Sequence, residues 1–169
     1  MADIHLQFTP DQLINEALQR YRELKPGESV MIFESFPIQS HIRLLFQMNA
    51  SREHIDLLWL GLQEALAPWN PALVFLQSDD PAQAVLSAAE LRGPEWTKYL
   101  VTALEKSPVA TANRWTGLKG VTEIFKFYGE LANGLVQSWP FPKLILPAQP
   151  GSYAQRDAEC FTWALKSLT

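Results

Sequence analysis

Three short apolar runs, separated by long stretches of helical periodicity, constrain the fold of this chain more than any other feature. They are S-V-M-I-F-E (29–34), L-V-F-L-Q (73–77) and K-L-I-L (143–146). Short, continuously apolar runs bounded by turn residues are typical of strands that are buried on both faces. Helical segments between them indicate βαβ crossovers. We therefore predict one α/β domain over residues 1–169, with a three-layer α/β/α arrangement around a small, three-stranded parallel sheet.

Helix start signals support the segments between these runs. Thr9 can cap a helix in which Pro10 is the first residue and Gln12 completes a capping box, and Asp80 begins the same arrangement before Pro81. Residues 36–40 are predicted to form a loop, and residues 108–120 a polar connection. Further helices are predicted over 42–48, 51–66, 96–106 and 121–139, and after a capping box formed by Ser152 and Gln155.

Composition excludes several classes of partner. The formal net charge is −4 and no run of Lys and Arg occurs, which argues against nucleic acid and anionic membranes as partners. No apolar run has the length of a membrane span, and the N-terminal residues lack the apolar core of a signal peptide. Cys160 is the single cysteine, so the chain cannot form an intrachain disulfide. We therefore expect a cytoplasmic protein.

The common catalytic and metal-binding motifs do not occur in the sequence. A Walker A loop needs G-x-x-x-x-G-K-[ST] between a strand and a helix, and the nearest match is G-E-L-A-N-G (129–134). That run lacks the lysine and the hydroxyl and lies in a predicted helix, so we interpret its glycines as packing residues. The three histidines are scattered, which predicts no metal site. Cys160 is predicted to be a core thiol.

Glu34 is the strongest candidate for chemistry. It ends the first apolar run, and a carboxylate at the carboxyl end of a buried parallel strand faces the crevice where α/β folds bind ligands. Such a carboxylate could hold Mg²⁺ or act as a base. It could equally cap a loop or a helix. Gln39 and Ser40 follow in the next loop, where they could bond a base or sugar or could simply form a turn.

Two further candidates follow the second apolar run. Asp79 follows that run after Ser78, and its alternatives are a place in the same cleft or a solvated position beside the helix cap Asp80. Arg92 precedes Gly93-Pro94. It could reach a phosphate, pair with Glu90 or be solvated.

The order of several weak motifs resembles a known family. The segments are V-M-I-F-E-S-F-P-I-Q-S (30–40), N-P-A-L-V-F-L-Q-S-D-D-P (70–81), E-L-R-G-P-E-W (90–96), G-L-K-G-V-T-E-I-F (117–125) and K-L-I-L-P-A (143–148). From about Thr9 to Leu168 the chain resembles the C-terminal two-thirds of a thymidylate-kinase-like P-loop NTPase of a bacterial branch. No single motif among these segments is diagnostic.

The resemblance implies roles for the candidate residues. Glu34 matches the acidic residue at the end of a strand, and Gln39 and Ser40 match the loop that lines the phosphoryl-acceptor site. Arg92 lies where the family's lid presents arginine to the phosphates, and residues 147–153 match a segment that contacts the base. The resemblance names no firm cofactor, but it would allow residual binding of nucleotide and Mg²⁺ in a cleft of Glu34, Gln39, Ser40, Asp79 and Arg92.

The chain departs from the family at one place. Family members have a Walker A strand, loop and helix, and the strand lies between the strands that match residues 29–34 and 73–77. Without it, backbone groups would be left unpaired on both sides of a gap. We expect either that these two runs pair directly or that a second copy of the chain, or a separate chain that bears the P-loop, occupies the gap.

Three functional hypotheses follow. The first is a degenerate or incomplete nucleotide-kinase-like domain, a pseudoenzyme that does not transfer phosphate alone because its main phosphate clamp is missing. The second is a binding or assembly module on the same scaffold, which forms a homo-oligomer or engages a regulatory partner. The third is one half of a split kinase, for which an upstream reading frame that encodes the Walker A segment would be the sign; such a frame would equally suggest a mis-called start codon.

Overall fold

The computed structural model describes residues 8–25, 30–148 and 153–167. Its secondary structure is mostly helical, with two strands. The helices are α1 (Pro10–Arg22), α2 (Arg43–Gln47), α3 (Arg52–Leu66), α4 (Pro81–Arg92), α5 (Pro94–Leu104), α6 (Pro108–Asn113), α7 (Gly117–Gln137) and α8 (Tyr153–Ser167). The strands are β1 (Leu73–Gln77) and β2 (Lys143–Pro147), and a π-helical turn and a 3-10 turn span Ile38–Ile42 and Ala67–Trp69.

The helix caps form as the sequence predicts. Thr9 Oγ1 accepts a hydrogen bond from Gln12 N at 3.2 Å, and Thr9 N donates to Gln12 Oε1 at 2.8 Å. At the start of α4, Asp80 Oδ1 accepts from Gln83 N at 2.9 Å. These bonds satisfy N–H groups that have no partner within the helix. The Ser152 cap lies outside the described residues.

The sheet is small and parallel. β1 and β2 pair in register, with Leu73 opposite Lys143 and Leu76 opposite Leu146. Helices α4 to α7 connect the two strands, as a parallel crossover requires. This confirms two of the three predicted strands and a small α/β fold.

The strand predicted over residues 29–34 is wrong for residues 30–34, and Ser29 lies outside the described residues. Residues 30–33 belong to neither helix nor strand, and Ser35 turns the chain with a left-handed φ of 61°. A strand forms only where a neighbouring strand satisfies its backbone groups. Residues 30–34 do not pair with residues 73–77, so within the described ranges the sheet has two strands rather than three.

Two predicted connections are instead helical. The loop predicted over residues 36–40 overlaps the π-helical turn, and Tyr128 Oη donates to Ile38 O there at 2.7 Å. The connection predicted over 108–120 contains α6, which begins with a capped proline: Ser107 Oγ accepts from Ala110 N, and Pro108 is the first helical residue. Ser107 is buried, so this start is part of the folded core.

Helix α7 connects two hydrophobic clusters. Its C-terminal half packs with α1, α3 and β1 in the larger cluster, whose fully buried members include Leu58, Trp59, Leu62 and Leu135. Its N-terminal half supplies Val121 and Ile124 to a smaller cluster with α4, α5 and α6. Because one long helix belongs to both clusters, the two are joined by a continuous backbone rather than by a flexible linker.

Helix α8 lies beside β2 but contributes little to the core. None of its side chains is buried, and Arg156 Nη1 donates to Pro147 O at 3.4 Å. Cys160 is half-buried and Phe161 beside it is exposed, so the predicted core position of this thiol is wrong. Because α8 packs beside an edge strand, only part of its surface has a neighbouring element to cover it. No helix of the described ranges is long and apolar enough to cross a membrane.

Candidate functional site

The first three candidate residues lie close together in the chain but serve local structure. Glu34 is exposed and accepts a hydrogen bond from Ser35 Oγ, so it lies at the start of a bend rather than at the end of a buried strand. Gln39 is exposed in the π-helical turn. Ser40 Oγ lies 3.0 Å from His41 Nδ1 and donates to Pro37 O at 3.3 Å.

The other two candidates, Asp79 and Arg92, are exposed. Asp79 follows β1 with its side chain in solvent, as its solvated interpretation predicts, and Asp80 is the helix cap. The Arg92 guanidinium stacks over the Trp96 ring, 5.0 Å from its centroid, and does not pair with Glu90. A cation above an indole face is favourable, so Arg92 has a local structural partner.

The five candidates do not assemble into a site for Mg²⁺ or nucleotide. Throughout the described ranges, no hydrogen bond or ion pair joins any two of them. Nor do His, Cys, Asp and Glu of the described residues form a group of three that could hold a metal ion. Mg²⁺ needs converging oxygen ligands, and a phosphate needs converging donors. The residues present therefore do not fit either group.

The glycines of residues 129–134 are helix residues. Both lie in α7, and a Cβ atom on Gly129 would stand 2.6 Å from Cγ of Pro81 at the start of α4. A Cβ on Gly134 would meet nothing within 4 Å. Gly129 thus lets α4 approach α7 closely, which supports packing rather than phosphate binding for this run.

The outer edge of β1 has backbone groups that no other described strand pairs with. Leu73 N donates to Pro142 O and Gln77 O accepts from Ala148 N, so the odd-numbered residues of β1 bond to β2. The N–H and C=O groups of Val74 and Leu76 therefore point to the opposite edge, where no other strand of the described chain pairs with them. We call the edge formed by Val74 and Leu76 the open edge.

The side chains at the open edge are also exposed. Val74 is 41% and Leu76 is 53% exposed, whereas Leu73 on the other face is buried. Leu146, which pairs with Leu76 and shares its face, is buried as well. This face of the sheet is thus covered over β2 and bare over β1. The sequence predicts a strand buried on both faces here, and that prediction is wrong for the face that carries Val74 and Leu76.

A second bare apolar surface is the run Val30–Phe33, which we call the apolar segment. Phe33 contacts the rings of Tyr21 and Phe36 at centroid distances of 5.9 and 5.4 Å, and Tyr21 lies 4.5 Å from Phe36. These contacts hold the Phe33 end of the segment against α1. Val30 and Ile32 have no such cover and are exposed.

The cluster that anchors the apolar segment includes a histidine. The His41 ring lies 6.0 Å from that of Tyr21 and 5.9 Å from that of Phe36, edge to face in both cases. Burial lowers the pKa of His41, Arg20 lowers it further, and Glu16 partly offsets both. Burial raises the pKa of Tyr21, which Arg20 opposes. Both shifts favour the neutral form of the side chain.

An open cleft of about 740 Å³ lies between α4, α5 and the start of α7. Its polar lining includes Gln83, Glu90, Thr97 and Lys98, none of which the sequence names as a candidate site residue. Thr97 Oγ1 already donates to Gly93 O, and Gln83 Nε2 to Ser87 Oγ. The Gly93-Pro94 break beside this cleft is visible in the sequence. The polar groups that line the cleft are partly engaged in hydrogen bonds within their own helices.

Comparisons of the chain with protein-family models, with curated proteins and with solved structures gave no match. The thymidylate-kinase-like resemblance therefore stays a prediction that depends on the order of the sequence motifs.

Proposed function

We propose that this chain is an assembly module built on an incomplete nucleotide-kinase-like scaffold, and that it does not transfer phosphate by itself. The open edge of β1 carries this proposal. Edge strands in natural proteins are normally short, charged or covered, because bare backbone groups recruit another strand. Here the two outward residues are Val and Leu, which have neither charge nor cover.

The absence of a Walker A run supports the proposed lack of phosphoryl transfer by the chain alone. The sequence has no Walker A run, and among the described residues no hydrogen bond or ion pair joins any two of Glu34, Gln39, Ser40, Asp79 and Arg92. Transfer of a phosphoryl group depends almost wholly on positioning and on charge stabilisation by preorganised donors. A chain without those donors has no means to lower the barrier.

Turnover of ATP with Mg²⁺ by the purified chain tests this directly. We expect no phosphate release above that of a buffer blank and no thermal shift on addition of ATP and Mg²⁺. Glu34→Ala should leave both results unchanged. Turnover that Glu34→Ala abolishes would overturn the proposal, because it would show a working site around this carboxylate.

Two occupants of the open edge are compatible with this function, a second copy and a separate chain that bears the P-loop. The second would make the protein one half of a split kinase. It stays an alternative because the resemblance places the Walker A strand beside the run that forms β1. Its test is co-expression with the product of any upstream frame that encodes a strand and a Walker A loop. Turnover by the pair, but by neither chain alone, would support the split enzyme.

The single cysteine supports the cytoplasm as the compartment of this protein, and the acidic net charge argues against nucleic acid as a partner.

A further inference from the structure

We propose that the occupant of the open edge is the apolar segment Val30–Phe33 of a second copy of this chain. The proposal deepens the proposed function, on which it rests, because it names both the partner and the residues that meet. Each chain would donate its segment as a strand to β1 of the other. An extended segment that adds to a sheet edge gains main-chain hydrogen bonds along its length.

The apolar segment has the exposure pattern of a strand that lacks its sheet. Its exposed fractions are 64% at Val30, 48% at Met31, 87% at Ile32 and 40% at Phe33. The alternate residues Val30 and Ile32 are therefore the barest, and the intervening pair is partly covered. Side chains of a strand alternate between two faces. The segment therefore already has the alternating exposure of a strand with one face in solvent and the other against a core.

The open edge offers what such a strand needs. Val74 and Leu76 supply outward N–H and C=O groups, and their bare side chains extend the apolar face that Leu144 and Leu146 begin. A two-stranded sheet is marginal in water, and a further strand on β1 would make β1 central. The side chains of Val30–Phe33, Val74 and Leu76 carry no charge, so none of them would have to lose a charge's hydration in the contact.

The geometry favours a second copy over the segment's own chain. Within one chain, Phe33 is held by Tyr21 and Phe36, and the segment does not pair with β1. Every copy carries one donor and one acceptor, so two copies can satisfy each other in a closed two-fold dimer. Exchange of an equivalent element between copies is a common route to such dimers.

Sedimentation velocity over a wide range of concentrations provides the test. We expect the full chain to pass from monomer to dimer as its concentration rises. Leu76→Lys on the acceptor and Ile32→Lys on the donor should each raise the dimer dissociation constant by more than about tenfold, because a lysine in the contact must lose its hydration. Leu60→Lys is the matched control, since Leu60 is an equally exposed leucine, at 56%, on α3. It should leave the constant unchanged.

Mixing the two lysine variants separates this exchange from other contacts. Each variant alone should remain monomeric, but the mixture should form a heterodimer, since one intact donor and one intact acceptor remain. A dimer that Leu76→Lys weakens and Ile32→Lys does not would overturn the proposal in favour of β1 pairing with β1. Circular dichroism of the variants verifies that they are folded, which is expected because both positions are exposed.

Failure of this proposal differs from failure of the proposed function. A chain that stays monomeric at every concentration contradicts the second copy but leaves a separate partner at the open edge. Turnover of ATP by the chain alone contradicts the proposed function whatever its oligomeric state.

Discussion

Tyr128 Oη donates a hydrogen bond of 2.7 Å to Ile38 O, and so connects the middle of α7 to the π-helical turn 90 residues earlier in the chain. Burial raises the pKa of Tyr128 above its ordinary range, although Arg43 opposes this. The phenol is therefore a neutral donor throughout the physiological range. The π-helical turn follows the apolar segment Val30–Phe33 in the chain, so this bond anchors the backbone just after that segment.

Tyr128→Phe removes that hydrogen bond while keeping the ring, which contacts Phe46. We expect the free energy of unfolding to fall by about 1 kcal/mol. Above pH 10 the unfolded phenol ionises while the folded one does not, so the wild-type chain should lose additional stability there, at up to about 1.4 kcal/mol per pH unit for this group. Urea denaturation between pH 7 and 11 measures both effects. Tyr99→Phe, at an exposed position, is the control, and an equal loss there would contradict the role of the bond.

The two glycines of G-E-L-A-N-G give a matched pair of substitutions within one helix. Gly129→Ala places a methyl group against Pro81, whose ring cannot rotate away, and should cost about 1–3 kcal/mol of stability. Gly134→Ala has open space and should gain about 0.5–1 kcal/mol from the lower flexibility of the unfolded chain. Denaturant unfolding of both variants compares them. Equal effects of the same sign would refute the close packing of α4 on α7.

The adjacent carboxylates Asp79 and Asp80 should behave differently. Asp80→Ala leaves the Gln83 N–H without its cap and should lower stability by about 1 kcal/mol. Asp79→Ala should change it by less than about 0.5 kcal/mol, since this side chain is exposed and makes no hydrogen bond among the described residues. Thermal and urea unfolding distinguish them. A larger cost at Asp79 would mean that it has a role beyond solvation.

Acid should destabilise the protein through His41. Its folded pKa is lowered, so folding favours the neutral ring. That contribution is complete above the ordinary pKa of about 6.5 and is lost as the pH falls through the folded pKa. Urea unfolding at pH 7.5, 6 and 5 should show declining stability, and His41→Gln should reduce the decline. His54→Gln serves as the control on α3, and an equal reduction in that variant would count against His41.

Local signals in the sequence account for much of the fold. Thr9 and Asp80 begin their helices because the bonds they make lie within one turn, and the bounds of β1 agree with the predicted run. The start of α6 had the same type of signal, Ser107 followed by Pro108, but the surrounding polar residues favoured a connection over a helix. The π-helical turn has no comparable signal, because its bond to Tyr128 comes from a distant part of the chain.

The candidate site was less predictable because it depends on pairing between distant segments. Glu34 would stand at a sheet edge only if residues 29–34 were a strand, and an apolar run cannot supply its own neighbour. The exposure of Val74 and Leu76 was unpredictable for the same reason. Their strand is predicted correctly, but exposure depends on which distant segments pack against it. The resemblance predicts a missing strand between the runs 29–34 and 73–77, and that stays a prediction.

The open edge also bears on how long the protein would persist in a cell. Quality-control systems recognise bare apolar segments and unpaired strand edges, which are the features that unfolded chains share. A copy that has not yet met its occupant would display both. Because the proposed occupant is a second copy, the unpaired fraction would fall as the chain accumulates, so the protein would be degraded fastest when it is scarce.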